Sequence, residues 1–269
     1  MLTLAVNTPI VMLTPGRHAE WEASAGPDEL LEIASLADSL GYDYLSCPEH
    51  VAVPAGLSSP LLGQPRGTTY WDPVATLAFL AAATRRIRLA TEVIVLGYHH
   101  PLQIAKQYGT LDALSGGRVL LGVGVGTAEE EFRLLGAQFE GRGAIADDAI
   151  RALRASLSQR EPRYEGTHFA YEGFVVEPHA RQPRVPLWIG GASQRALRRA
   201  AELGDGWMPG PQSPELIAER LRAHPALPEG FEIAARPSAP MNPSGDPAGT
   251  RRTLDRYAEA GVTTMEAWV

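Results

Sequence analysis

The residue best suited to acid–base chemistry is His50, which follows Glu49 at the end of an apolar run. That run, Tyr42–Cys47, has the length and residue types of a buried strand, so both polar side chains leave its carboxyl end. Imidazole titrates near neutral pH, and a histidine at such a point can act as a general acid or base. The alternative is a loop histidine that forms only structural hydrogen bonds. The residues alone leave both interpretations open.

A second candidate is the loop formed by Gly190, Gly191, Ala192 and Ser193, between an apolar run and a segment with helical periodicity. Amide groups at a helix N-terminus bind anions, most often phosphate. Ser193 adds a hydroxyl group and Arg195 adds a positive charge. The loop therefore indicates an anion site, and the alternative is an ordinary turn in which Ser193 caps the helix.

A third candidate is the alternation of Gly122, Gly124 and Gly126 at the end of the apolar run Arg118–Val125. The pattern is G-x-G-x-G and not the G-x-G-x-x-G that opens a helix in dinucleotide-binding folds. Bare backbone would let a planar ligand approach closely. Tight packing inside a barrel would require the same glycines, so this interpretation competes with the first.

The remaining polar clusters are interpreted as structural, and they do not indicate a metal site. His99 and His100 are adjacent, which is not the spacing of metal ligands on a helix or strand, so we interpret them as loop residues. The run Glu129–Glu131 is interpreted as the acidic first turn of a helix, where the helix dipole favours negative charge. The sequence also lacks the motifs G-x-S-x-G and H-E-x-x-H and the P-loop motif.

These candidates need a scaffold that brings strand ends together, and the rest of the chain predicts one. Eight apolar runs alternate with helical segments, which is the pattern of a (β/α)8 TIM barrel. The predicted strands are Leu2–Val6, Tyr42–Cys47, Leu89–Leu96, Arg118–Val125, Leu187–Ile189, Gly206–Met208, Phe231–Ala235 and Val262–Trp268. The three candidates follow the second, fourth and fifth strands, at the end where barrel enzymes place their active sites.

Two features depart from a regular barrel spanning residues 1–269 as one domain. The segment from about 160 to 186 alternates apolar and polar residues and holds glycine turns, which predicts a β-hairpin insertion after strand four. No helical segment follows strand eight. We expect an N-terminal segment or a partner subunit, as in a homodimer, to cover the flank left open there.

Composition excludes several classes of protein. The chain has 269 residues, 45% of them hydrophobic, and a net charge of −7, which argues against a nucleic-acid-binding protein. Its longest apolar-rich segment, Val74–Thr84, is shorter than the roughly 20 residues that cross a bilayer. Cys47 is the only cysteine, which fits a reducing compartment. We therefore expect a cytoplasmic protein with neither a membrane nor a nucleic-acid partner.

Three longer segments in order carry a family resemblance. They are TYWDPVATLAFLAAATRRIRLATEVIVLG, HHPLQIAKQYGTLDALSGGRVLLGVGVGTAEEEFRLLG and PLWIGGASQRALRRAAELGDGW. Together they resemble the bacterial luciferase-like monooxygenase superfamily, and within it the members that use the deazaflavin coenzyme F420. Users of flavin mononucleotide (FMN) share much of the same pattern.

The resemblance implies a cofactor ring at the carboxyl mouth of the barrel. It implies a non-prolyl cis peptide bond between Glu92 and Val93 that bulges against this ring. It assigns His50 as the catalytic histidine and the loop of Gly124, Val125, Gly126 and Thr127 to the cofactor. Some deazaflavin dehydrogenases carry a glutamate at the position of Thr127, so a different substrate or role is implied here. The loop of Gly190, Gly191, Ala192 and Ser193, with Arg195, would hold the cofactor phosphate.

The expected function is hydride transfer between F420 and a small organic substrate, with substrate contacts at Asn7, Glu49 and Trp71. One alternative is an FMN-dependent monooxygenase, and a second is a non-catalytic flavin-binding relative. A third is a cofactor-free hydrolase using Glu49 or Glu92. That option is disfavoured because the sequence indicates no carboxylate pair and would leave the phosphate loop without a role.

Overall fold

The computed structural model describes residues 2–15, 18–55, 67–224 and 226–268. Within them, eight parallel strands close into a ring in chain order, with the last strand paired to the first. The (β/α)8 barrel prediction is therefore confirmed. The strands are β1 (Thr3–Asn7), β2 (Tyr44–Cys47), β3 (Arg88–Thr91), β4 (Val119–Gly124), β5 (Leu187–Gly190), β6 (Gly206–Pro211), β7 (Glu232–Arg236) and β8 (Thr264–Trp268).

Helices fill the connections between the strands. They are α1 (Pro27–Leu40), α2 (Pro73–Ala83), α3 (Pro101–Ser115), α4 (Glu129–Leu134), α5 (Arg142–Ser156), α6 (Gln194–Leu203), α7 (Pro214–Arg222) and α8 (Pro247–Glu259). Local sequence sets their ends: the Asp72 side chain accepts a hydrogen bond from the amide of Ala75 at the start of α2, and Gly41 ends α1 with φ 81°.

The barrel interior is layered because side chains of a strand alternate between its two faces. The middle layer is apolar and is formed by Ala5, Tyr44, Ala90, Leu120, Trp188, Met208 and Ala234. Side chains two residues earlier on these strands face the amino-terminal end of the barrel, and side chains two residues later face the carboxyl-terminal end. The same parity puts Arg88 and Glu232 at the first end and Ser46, Glu92 and Arg236 at the second.

Strand three differs from its prediction as one run, Leu89–Leu96. The regular strand β3 ends at Thr91, and the peptide bond between Glu92 and Val93 is cis, as the family resemblance implied. A short strand, Ile94–Val95, then pairs with β4. The apolar run is therefore interrupted where it reaches the mouth of the barrel.

The predicted hairpin insertion is present but short. Antiparallel strands Tyr164–Glu165 and Ala170–Tyr171 form it, and most of the segment up to β5 has no regular secondary structure. Asp112 of α3 anchors the later part by accepting hydrogen bonds from the amides of Arg181 at 2.7 Å and Gln182 at 3.0 Å. The insertion therefore packs on the outside of the barrel.

The flank beside β8 retains an exposed apolar residue, since Leu4 of β1 is 38% exposed. Covering of this flank by a partner subunit stays a prediction, which a measurement of mass in solution would test. Among the residues described, no helix is both long enough and apolar enough to cross a membrane.

Candidate active site

A cavity of about 290 Å³ opens at the carboxyl ends of the strands. This volume lies close to the lower limit of about 300 Å³ for small-molecule pockets. Most of the residues predicted from the sequence line it: Asn7, Glu49, His50, Glu92, Val93, Gly124, Val125, Gly126, Thr127, Gly190 and Gly191. The barrel therefore brings the ends of β1 to β5 to one space.

His50 is held in the cavity wall by a carboxylate whose contact with it the sequence analysis did not predict. Its Nδ1 lies 2.8 Å from Oε2 of Glu131, whose side chain is only 1% exposed. The other oxygen of Glu131 accepts hydrogen bonds from the amides of Val51 at 2.5 Å and Ala52 at 3.2 Å. Glu131 lies in the acidic first turn of α4, as predicted. Its side chain points inward to His50, a contact that the sequence analysis did not predict.

The environment of Glu131 keeps it ionised. Burial alone would raise the pKa of this carboxyl, but the hydrogen bonds from His50 and from the amides of Val51 and Ala52 outweigh it, so the pKa is lowered. The hydroxyl of Tyr98 donates a further hydrogen bond of 3.0 Å. An ionised carboxylate only accepts, so His50 donates through Nδ1–H and its Nε2 is the atom at which the ring gains or loses a proton.

Glu49 lines the cavity, but its carboxylate mainly supports the neighbouring segment. One oxygen accepts a 2.7 Å hydrogen bond from the amide of Val95, and the other lies 2.7 Å from Nε2 of His99. His99, interpreted from sequence as a loop residue, thus braces the chain just after the cis bond. His100 accepts from the amide of Leu102 and caps α3. The expected substrate contact of Glu49 therefore competes with two structural hydrogen bonds.

The alternating glycines pack against strand three and the segment that follows it. A Cβ at Gly122 would lie 2.1 Å from the carbonyl oxygen of Thr91. A Cβ at Gly124 would lie 2.7 Å from Val93, and one at Gly126 would lie 2.6 Å from Val95. Of the two interpretations left open by the sequence, tight packing accounts for these glycines.

Val93 forms the floor of the cavity because two glycines leave room for it. A Cβ added at Gly124 or at Gly190 would lie only 2.7 Å from a methyl group of Val93. The side chain therefore projects between β4 and β5 and gives the cavity a compact apolar floor. A planar ring resting on this floor would meet a methyl-covered surface and no charge.

Beside this floor lies a carboxylate pair that the sequence analysis did not detect. Glu92 lies 3.0 Å from Nη2 of Arg236, whose Nε lies 3.5 Å from Glu266. Glu266 also accepts a hydrogen bond from the hydroxyl of Ser46. A signal was present in the sequence: Arg236 directly follows the predicted strand Phe231–Ala235, and Glu266 lies inside the predicted strand Val262–Trp268.

Comparison with known proteins identifies the family. Residues 8–244 match the family described as luciferase-like monooxygenase. The chain belongs to that family. A relative from Mycobacterium tuberculosis, named only as an uncharacterised protein, is 32% identical to this luciferase-like protein over 240 residues, covering 86% of this chain and 84% of the relative. A protein of Microbacterium testaceum named F420-dependent glucose-6-phosphate dehydrogenase is 30% identical over 219 residues, covering 78% of this chain and 60% of its own.

Solved structures share the barrel of this luciferase-like protein. A monooxygenase from Streptomyces bottropensis superposes with a TM-score of 0.72 at 23% identity, covering 100% of this chain and 92% of its own. The coenzyme F420-dependent tetrahydromethanopterin reductase of Methanopyrus kandleri gives 0.72 at 14% identity, with coverage of 98% and 92%. A riboflavin lyase solved with modified FMN and riboflavin gives 0.73 at 18% identity, with coverage of 97% and 67%. At these identities the likeness establishes the fold.

The predicted anion loop of the luciferase-like protein is only partly available for a ligand. The amide of Gly191 already donates a 3.0 Å hydrogen bond to the carbonyl of Met208. Ser193 caps α6 by accepting from the amide of Ala196 at 3.2 Å, which is the alternative role left open by the sequence. Ala192, Ser193 and Arg195 are exposed just outside the cavity. An anion would therefore meet the first-turn amides of α6 and not the amide of Gly191.

Trp71, which was expected to contact the substrate, is not among the residues that line the cavity. Tyr70, and not Trp71, lines the cavity, and its ring centroid lies 4.5 Å from that of His50. Trp71 packs against the core, and its amide donates to the carbonyl of Val11 at 2.9 Å. The short antiparallel pair of Met12–Leu13 with Thr69–Tyr70 positions this wall. Most of the preceding loop, at 56–66, lies outside the described residues.

Proposed function

We propose that this protein is an F420-dependent oxidoreductase that transfers a hydride between the deazaflavin and a small organic substrate. The observation that carries the proposal is the His50–Glu131 pair on the wall of a cavity whose floor is Val93. Family membership supports it, and so does the relative named F420-dependent glucose-6-phosphate dehydrogenase.

The residues present fit a tricyclic ring with an anionic side chain. The ring would rest on Val93, with Gly124–Thr127 along one edge. Its phosphate would lie at the N-terminus of α6, where first-turn amides are directed outward and Arg195 is exposed. When bound, the deazaflavin supplies the hydride-accepting and hydride-donating chemistry, and the protein supplies position and proton control.

His50 would handle the proton that accompanies the hydride. In the oxidative direction, Nε2 takes the proton of a substrate hydroxyl, and in the reductive direction it returns that proton to a carbonyl oxygen. Glu131 holds the tautomer that makes this possible and stabilises the imidazolium once it forms. Replacing His50 with alanine should lower turnover by about 10²- to 10⁴-fold while cofactor binding is kept.

The second candidate is an FMN-dependent monooxygenase. It is supported by the fold shared with a Streptomyces bottropensis monooxygenase and with a riboflavin lyase solved with modified FMN. The cofactor-free hydrolase is less well supported even though the barrel holds a carboxylate pair. Glu266 is 1% exposed, so only Glu92 of the pair can reach a substrate.

Titration of the purified protein with F420 and with FMN, followed by ring absorbance and fluorescence, separates these functions. The proposal expects tighter binding of F420, and reduction of bound F420 by an alcohol without consumption of oxygen. Preferential binding of FMN with oxygen consumption would establish the alternative. Retention of either cofactor, with no turnover on alcohols or activated alkenes, would indicate a non-catalytic relative.

A further inference from the structure

The carboxyl groups of Glu92 and Glu266 meet at one guanidinium group, that of Arg236, beside the cavity floor. Glu92 follows β3, Arg236 ends β7 and Glu266 lies in β8, so the cluster forms only when the barrel closes. The distances are 3.0 Å from Arg236 to Glu92 and 3.5 Å to Glu266. The two carboxyls therefore form a pair around one guanidinium charge.

This arrangement favours a proton on one of the two carboxyls. Below the cluster lies the apolar middle layer with Tyr44, whose hydroxyl is buried. One guanidinium charge compensates only one carboxylate, and two adjacent carboxylates in a site of low polarity do not both ionise. Burial first, and then the charge of Glu92, raises the pKa of Glu266 well above its ordinary value, against the smaller opposing effects of Arg236 and Ser46.

We propose that Glu92 and Glu266 share one proton and that Glu92 uses it to bind an uncharged hydroxyl or carbonyl group of the substrate. Glu92 lines the cavity with a side chain that is 8% exposed, so it is the member that contacts a ligand. Glu266 and Ser46 act through Glu92 as positioning residues. This inference rests on the proposed function for its role in turnover, but the shared proton is a property of the protein without cofactor.

A shared proton lets Glu92 either accept or donate a hydrogen bond. With the proton on Glu266, Glu92 is a carboxylate and accepts a hydrogen bond from a substrate hydroxyl other than the one whose proton Nε2 of His50 takes. With the proton on Glu92, Glu266 is the carboxylate facing Arg236, and Glu92 donates to the oxygen of a carbonyl compound. The interconversion moves a proton only within the pair, so the net charge of the cavity does not change.

The same charges select against anionic substrates. Among the described residues that face the cavity, Glu49 is paired with His99, Glu131 with His50, and the carboxyl pair with Arg236. Burial first, and then the charges of Glu266 and Glu92, raises the pKa of Tyr44 well above its ordinary value, so this phenol stays neutral. A phosphate or carboxylate on the substrate would approach these carboxylates without an uncompensated cation to receive it.

Infrared spectra of the cofactor-free protein test the shared proton. The wild type should show a protonated-carboxyl band at pH 7 that is absent in Glu266→Gln and in Glu92→Gln, because either change leaves one carboxylate facing Arg236. Glu232→Gln, at the opposite end of the barrel, should keep the band. Absence of the band in the wild type, or its survival in both pair variants, would overturn the proposal. If Glu266→Gln does not fold, Glu92→Gln alone decides it.

Turnover with matched substrates tests the selection. F420 binding is measured first, and failure to bind refutes the proposed function while leaving the infrared result intact. With F420 bound, a panel of secondary alcohols and their phosphate or carboxylate analogues, with glucose and glucose 6-phosphate included, should show turnover of uncharged members only. Glu92→Gln should raise the KM of those members by about ten- to a hundredfold, the value of a hydrogen bond to a charged group, with a smaller change in kcat. Turnover restricted to phosphorylated members, or no turnover of any member, would overturn the selection.

Discussion

The two ends of the barrel interior carry the same ionisable groups, one arginine with two carboxyl groups, in different surroundings. At the amino-terminal end, Arg88 lies 2.6 Å from Asp43 and 3.3 Å from Glu232. At the carboxyl end, Arg236 lies between Glu92 and Glu266 in a similar way. The apolar middle layer separates the two clusters, and the guanidinium of Arg88 lies 5.1 Å from the centroid of Trp188 in that layer.

Access to water distinguishes the ends. The carboxylates at the amino-terminal end are 21% and 35% exposed, whereas those at the carboxyl end are 8% and 1% exposed. Water stabilises two carboxylates around Arg88, so that cluster is an ordinary ion network. Around Arg236 water is largely excluded, so a proton on one of the two carboxyls neutralises the charge that water would otherwise stabilise. An arginine with two carboxyl groups thus stabilises the fold at one end of the barrel and holds a shared proton at the other.

Removing the two arginines in turn gives the largest expected difference. Arg236→Met leaves two buried carboxyls with no counter-charge and should lower the free energy of unfolding by about 3 to 5 kcal/mol. Arg88→Met should lower it by only about 1 to 2 kcal/mol, because its partners reach water and part of the loss is its contact with Trp188. Urea unfolding at pH 7 measures both values. Equal losses would show that burial does not separate the ends.

Matched glutamate substitutions should separate catalysis from stability. Glu131→Gln removes the charge that orients His50 and should lower kcat about 10- to 100-fold, since the tautomer is no longer fixed. Glu232→Gln, at the other end, should leave kcat unchanged and alter the free energy of unfolding by less than about 1 kcal/mol. Steady-state turnover with bound F420 measures the first effect. A similar kcat for the two variants would remove Glu131 from the proton-transfer machinery.

Sequence reasoning located the residues whose place at the barrel mouth is set by the sequence next to them. His50 and the loop Gly190–Ser193 were found because each directly follows an apolar run, so their position at the barrel mouth is a local property. The contact of Glu131 with His50 was missed because the two residues are 81 positions apart. Three consecutive glutamates predict only the acidic first turn of a helix, which α4 has. The cis bond between Glu92 and Val93 came from the family resemblance, since the apolar run itself predicts an unbroken strand.

Arg236 and Glu266 were missed for a different reason. Arg236 ends β7 and Glu266 lies in the middle of β8, and the direction of each side chain is known only after the pairing of β7 and β8 sets which face is inward. The barrel was predictable because alternation of strands and helices recurs along the whole chain. The structure of the insertion was less predictable from sequence, because its residues form no repeating pattern. Long-range hydrogen bonds, such as those to Asp112, hold its later part.

The pH dependence of stability sharpens the comparison further. The pKa of Glu266 is raised in the folded protein, so the stability it contributes is complete below the ordinary glutamate pKa and is lost as pH rises toward the folded value. The wild type should therefore lose up to about 1.4 kcal/mol per pH unit from this group above pH 5. Glu266→Gln should remove that slope, and Glu232→Gln should keep it.

Denaturant unfolding at pH 5, 6 and 7 measures the slope. The lowered pKa of Glu131 acts in the opposite direction and at lower pH, because its contribution is present above the ordinary pKa and is lost as pH falls through the folded value. The two groups therefore affect separate pH ranges. A slope that persists unchanged in Glu266→Gln would mean that another group binds the proton.

Two glycines, one at each end of the barrel, are packed against different neighbours. A Cβ at Gly206 would lie 2.6 Å from the ring of Trp188 and 2.8 Å from the carbonyl oxygen of Glu232, whereas a Cβ at Gly124 would meet only the side chain of Val93, at 2.7 Å. Gly206→Ala should cost about 2 to 3 kcal/mol of unfolding free energy, because a backbone carbonyl cannot move aside easily, and Gly124→Ala only about 1 kcal/mol.

Their effects on cofactor binding should run in the reverse order. Gly124→Ala pushes Val93 up into the cavity, where the ring would rest, so it should weaken F420 binding, and adding Val93→Ala should restore part of that binding. Gly206→Ala lies beyond the apolar middle layer and should leave binding unchanged in the protein that remains folded. Fluorescence titration of both variants, beside their unfolding curves, measures the two properties separately. If the less destabilised variant also binds F420 normally, the floor formed by Val93 does not support the ring.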